Sequence, residues 1–148
     1  MPEFRYAGGR ILESIQYISE ELAEFQNDYA GRTWKEYQAD RKLQKLIDRT
    51  VENVLTALIE VCGTFLTEEG VTVESYADAL RKAAARLGFD ERGQDDLAAL
   101  ASHRNRLAHR YLNFRWQTIR FFSDRRDLIS DLLVRLLARE ENQPPAKR

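Results

Sequence analysis

The chain has 148 residues, 43% hydrophobic and 32% charged, with a formal net charge of -1. That balance fits one globular domain and excludes general disorder, a second independent core and a polyanion binder acting through its overall charge. A single cysteine, Cys62, excludes an intramolecular disulfide and the cysteine clusters of structural zinc sites, and reads as a small buried apolar residue.

The opening Met1-Pro2-Glu3-Phe4-Arg5-Tyr6 lacks the apolar run of a signal peptide. Ile11, Ile15, Ile18, Leu22, Phe25 and Tyr29 then recur at helical spacing, predicting a helix from about Gly9 to Tyr29 that Gly31 breaks. Thr33, followed three residues later by Glu36, forms a capping signal for the next start. From there Leu43, Leu46, Ile47, Val51, Val54, Leu58, Val61, Cys62 and Phe65 keep the helical period without a Pro or Gly before Gly63, which predicts one helix of roughly 28 to 32 residues, a bundle spine or an intersubunit helix.

Thr72 to Ser75 supply caps for a shorter helix carrying Tyr76, Ala79, Leu80, Ala83 and Leu87, ended by Gly88. A further helix is expected to begin near Gln94-Asp95-Asp96, where acidic residues meet the positive helix end, with Leu97, Leu100, Ala101 and Ala108 on its apolar side. The last run, Trp116, Ile119, Phe122, Ile129, Leu132, Leu133, Leu136 and Leu137, is interrupted by Asp124-Arg125-Arg126-Asp127. The expected fold is an all-α compact bundle of four to five helices over residues 1–139, with residues 140–148 as a flexible, proline-containing tail. No window holds 18 uncharged apolar residues, so no membrane span is expected and the chain reads as cytoplasmic.

Between Ser102 and Arg126 lie Arg104, Arg106, Arg110, Arg115, Arg120, Arg125 and Arg126, opposed only by Asp124. Such a stretch suits a local phosphate-binding surface or a solvated helix face. Within it, Ser102 to Tyr111 holds both histidines, His103 and His109, and three arginines. On a continuous helix Asn105 and His109 would share one face while Arg104 would lie about 140° from His109, so joint use needs a groove or a helix ending near His109.

These residue types suit phosphodiester cleavage. An imidazole exchanges protons near neutral pH, taking one from an RNA 2′-hydroxyl or donating one to the leaving oxygen. A guanidinium meets nonbridging phosphate oxygens with paired donors as negative charge accumulates. No metal or other cofactor is required. One strong histidine per chain leaves the acid or the base unfilled, which a symmetric homodimer would supply. Asn105 could orient His109 or bind the phosphate, Arg106 and Arg110 could form an RNA-facing pair, and His103 reads as a flanking residue. Tyr111 could pack at the rim, stack on a base or expose its hydroxyl for modification.

The string Arg104-Asn105-Arg106-Leu107-Ala108-His109-Arg110-Tyr111 resembles the Arg-x4-His-x-Tyr motif of HepT-like toxins in the HEPN superfamily, and the layout agrees from roughly Arg10 to Arg139. The resemblance implies Arg104 and His109 as catalytic pair, Asn105 as supporting residue, and a homodimer with a shared cleft that cleaves transfer RNA or messenger RNA without metal. It also implies an MntA-like minimal nucleotidyltransferase antitoxin that adds AMP to Tyr111. Two other functions fit the same bundle: a noncatalytic binding module serving a nucleotidyltransferase, and a structural dimerisation protein.

Overall fold

The computed structural model describes residues 10–142; the expected helix start at Gly9, the Met1–Tyr6 segment and the last six residues of the tail lie outside that range. Seven α-helices are present among the described residues: α1 (Arg10–Glu24), α2 (Trp34–Ala39), α3 (Arg41–Glu68), α4 (Tyr76–Arg86), α5 (Glu91–Arg104), α6 (Leu112–Asp124) and α7 (Arg126–Glu141). A π-helical turn, Phe25–Tyr29, extends α1, and a 3₁₀ turn, Asn105–Ala108, follows α5. The all-helical class agrees with the sequence, but the count exceeds the expected four to five because two long runs are each split by one residue.

Asp40 makes the first split. Its backbone is extended, at φ -132° and ψ 105°, and its carboxylate accepts from the backbone N–H groups of Lys42 and Leu43, capping α3. The start before it is as expected: the Thr33 side chain accepts from the Glu36 backbone while the Glu36 carboxylate accepts from the Thr33 N–H, a reciprocal capping box. Arg125, at φ -111° and ψ 16°, makes the second split between α6 and α7. The acidic-basic interruption in the last run is thus a helix junction.

α3 is the spine, packed against α1, α2, α4, α5 and α6. Its first half buries a stripe that includes Leu43, Ile47, Val51, Val54 and Leu58, whereas Val61 to Leu66 are buried consecutively because neighbours surround that end. By length and composition α3 could cross a membrane, but 67% of its most apolar window is buried inside the bundle, as expected of a core helix. Cys62 is fully buried there, and desolvation pushes its thiol up to about 12. α1 lays Ile11, Ile15, Ile18 and Leu22 on the same core. Phe25 meets Phe122 edge to face at 5.0 Å, joining the end of α1 to α6.

The connections place the remaining helices. Gly70 and Gly88, with φ of +71° and +86°, follow α3 and α4 in the left-handed conformation that side chains resist. Ser75 caps α4 by accepting from Asp78 N–H. Asp90 caps α5 by accepting from Gly93 N–H, so α5 starts at Glu91 and not near Gln94. At the other end, Arg139 bonds Glu68, Glu69 and Glu140, holding the last turn of α7 on the end of α3. Glu140 is consequently buried and helical, which corrects the expected start of a flexible tail at that residue.

Candidate functional site

The Ser102–Tyr111 segment forms the break between α5 and α6. α5 ends at Arg104, the 3₁₀ turn follows, and His109 adopts extended backbone at φ -73° and ψ 139°. Leu107 is the anchor, buried in the core. Ala108, expected on the apolar side of a continuing helix, is exposed because the helix has already ended. The segment therefore leaves the helical register before His109, and the shared face of Asn105 and His109 is not formed.

The Arg104 side chain turns toward α3. Its Nε donates to the Thr56 hydroxyl at 3.0 Å, and it lines a groove of about 440 Å³ with Tyr17, Arg49, Glu52, Asn53, Thr56 and Glu60. Its Nη1 and Nη2 make no hydrogen bond, and it forms no ion pair, among the described residues. Thr56 was not singled out in the sequence, where nothing separates it from the other threonines of its helix.

His109 lies outside that groove lining, in an aromatic cluster. Its ring centroid is 4.8 Å from Tyr111 and 4.9 Å from Phe114, the latter edge-on. The Tyr111 backbone N–H donates to His109 Nδ1 at 3.2 Å, so the neutral ring carries its proton on Nε2. Within one chain, Arg104 and His109 thus face different surroundings.

Asn105 is exposed; its backbone N–H donates to the His103 carbonyl, and its side chain makes no hydrogen bond to His109. Arg106 and Arg110 are exposed without ion pairs among the described residues, and the Arg110 guanidinium lies 5.3 Å from the Tyr111 ring centroid. Tyr111 itself is 50% exposed. His103 has a packing role: Nδ1 is 2.8 Å from the Ala99 carbonyl, and the ring stacks on Phe121 at 4.1 Å.

Arg115, grouped by sequence with the basic surface, is an internal strut. It reaches Asp48 at 2.8 Å, and Asp48 also accepts from the Tyr37 hydroxyl at 2.7 Å. Burial raises both the Tyr37 phenol and the Asp48 carboxyl, the latter even though Tyr37 and Arg115 oppose the rise. Trp34 and Trp116 flank Tyr37 at ring centroid distances of 6.3 and 5.1 Å.

A protein-family model described as "Ribonuclease HepT-like" matches residues 11–122, which takes in α1 through most of α6 and the whole Arg104–Tyr111 segment. The search of curated proteins returned no match.

Proposed function

Since the chain belongs to the HepT-like ribonuclease family, we propose that it is a metal-independent endoribonuclease toxin in which Arg104 and His109 act on one RNA phosphate across a homodimer. The observation that carries this reading is the break between α5 and α6: it presents an exposed imidazole, the exposed Arg106 and Arg110 and the half-buried Arg104, none of the three arginines tied to a carboxylate among the described residues. A guanidinium with its Nη edge unpartnered suits a phosphate gaining charge. The separate surroundings of Arg104 and His109 within a chain are met by a second copy, whose own segment supplies the complementary group and a second imidazole.

In the proposed reaction an imidazole takes the 2′-hydroxyl proton, and the 2′-oxygen attacks phosphorus. The bond to the 5′-oxygen breaks, and that oxygen receives a proton from an imidazolium. The products are a 2′,3′-cyclic phosphate and a 5′-hydroxyl. Asn105, Arg106 and Arg110 would hold the flanking RNA.

Cleavage of transfer RNA and a messenger RNA transcript in EDTA, with mapping of product ends, tests the mechanism. His109→Ala should lose about 10²–10⁴-fold in rate, and Arg104→Ala about 10²–10³-fold, with helicity and dimer mass unchanged. Full cleavage by either variant removes that residue from the mechanism. A wild-type protein that binds a nucleotidyltransferase but never cleaves RNA would instead be a noncatalytic module.

The same reading includes neutralisation by an MntA-like nucleotidyltransferase that adds AMP to Tyr111. The phenol is accessible and Arg110 lies beside it, so an added phosphate would occupy the charge that RNA needs. Incubation with the partner and ATP should give an AMP mass increase that Tyr111→Phe abolishes. The same increase in Tyr111→Phe excludes this acceptor.

A further inference from the structure

α3 carries four threonines, and three of them behave alike. Thr50, Thr64 and Thr67 donate their hydroxyls to the carbonyls of Leu46, Glu60 and Gly63, four residues back, at 2.8, 3.0 and 2.9 Å. That back-bond is the ordinary use of a threonine inside a helix. Thr56 departs from it: its hydroxyl makes no bond to the carbonyl of Glu52 and instead accepts from Arg104 Nε across the α3–α5 contact.

We propose that Thr56 is a positioning residue for Arg104, fixing the plane of its guanidinium so that the Nη1–Nη2 edge faces the groove between α1 and α3. The proposal rests on the reading that Arg104 binds the reacting phosphate. A guanidinium has five donors in a rigid fork, and tying Nε leaves the paired edge that matches two phosphate oxygens. The bond also limits the rotamers of a long side chain placed on the last turn of its helix, where the backbone changes register.

A second consequence follows from the neighbours of Thr56. Glu52 and Glu60 lie one helical turn on either side of it and line the same groove, yet neither pairs with Arg104. The hydroxyl holds the guanidinium between them. Released from Thr56, the fork can fall onto either carboxylate and lose the charge it offers to RNA.

The experiment compares Thr56→Val, which keeps shape but removes the acceptor, with Thr56→Ser, which restores it, and with Arg104→Ala. Cleavage of transfer RNA in EDTA is resolved into kcat and KM, and helicity and Tm are measured for each protein. The Arg104 Nε–H signal is followed by nitrogen-15 NMR, assigned through its loss in Arg104→Ala. Thr56→Val should lower kcat by about 10- to 100-fold with KM little changed, and its Nε–H should exchange faster with solvent; Thr56→Ser should recover both. If Thr56→Val loses helicity, Thr56→Ala, a better helix former, replaces it. Wild-type kcat in Thr56→Val alongside an inactive Arg104→Ala overturns the positioning role and leaves the proposed nuclease standing. Equal loss in Thr56→Val and Thr56→Ser together with a lowered Tm also overturns it, as ordinary packing. Full activity in Arg104→Ala removes Arg104 from the mechanism and the positioning role with it, and absence of cleavage by the wild-type protein overturns the nuclease reading itself.

Discussion

Arg104, Arg106 and Arg110 precede α6 and form no ion pair among the described residues, whereas Arg115, Arg120 and Arg125 within and after it face Asp48, Asp124 and Asp96 at 2.8, 3.7 and 3.8 Å. Arg126 is likewise engaged, bonded to Gln26 and the Ser123 carbonyl and lying over Phe25. One basic stretch of sequence therefore has two fates. α6 packs against α3, α5 and α7, and its neighbours bring carboxylates, carbonyls and rings to its arginines. The break before it is anchored by Leu107 and, among the described residues, brings no carboxylate to its guanidiniums: Arg106 is exposed, Arg110 lies over the Tyr111 ring, and Arg104 bonds the Thr56 hydroxyl. Within this basic stretch, the guanidiniums without a carboxylate partner among the described residues are those of the break and that of Arg126, which bonds Gln26 and the Ser123 carbonyl instead.

The strongest way to break this comparison is at Arg115. Arg115→Ala leaves Asp48 largely buried beside Tyr37 without its cation and should cost about 2–4 kcal/mol of stability, the lower side of what a fully buried pair loses. Denaturant unfolding measures it. The pH dependence follows from the sign of the Asp48 shift. Burial holds this carboxyl above its ordinary value of 3.8, so its ionisation opposes folding as pH rises, and removing Arg115 increases that opposition. The stability gap from wild type should be widest at neutral pH and narrow as pH falls toward the ordinary carboxylate range. Cleavage below the variant's melting range should be unchanged; a loss of cleavage with no loss of stability would place Arg115 on the RNA side after all.

The same contrast explains what could be read in advance. The α1 stripe of Ile11, Ile15, Ile18, Leu22 and Phe25 is buried as spacing implied, because burial on one helix face leaves a periodic trace in sequence. Leu46 fitted the periodic run of α3 yet is 53% exposed, since it sits at the edge of the stripe that buries Leu43, Ile47 and Thr50. The helix break at Asp40 left no such trace, and the one at Arg125 showed only as a polar interruption of the apolar run, which an exposed stretch of unbroken helix would also give. Neither position has a Pro or Gly, and an aspartate that caps a helix has the same letter as one that faces water. At the site, the Arg104–Tyr111 string was visible as a cluster of types, and the possibility that the helix ends near His109 is the one realised. Where Arg104 turns was not visible, because Thr56 is 48 residues away in sequence and only the packing of α5 on α3 joins them.

A smaller effect sharpens the comparison at its two ends. Arg106→Ala and Arg110→Ala, made in the inactive His109→Ala protein so that RNA survives, should each reduce the slope of log affinity against log salt by about 0.7, the value for one phosphate contact on a single strand. Arg120→Ala should leave that slope unchanged and alter stability by less than about 0.5 kcal/mol, since its pair with Asp124 is solvent-exposed and four residues apart on one helix. Filter binding at graded salt measures the slopes. Arg110 has a second neighbour in the Tyr111 ring, so its loss could act through Tyr111 as well as through RNA charge; Arg110→Lys separates the two, because it keeps the charge while giving up the planar stack. An equal slope change in Arg120→Ala would mean that RNA runs along α6 beyond the break, and the division between engaged and available arginines would fail at its first step.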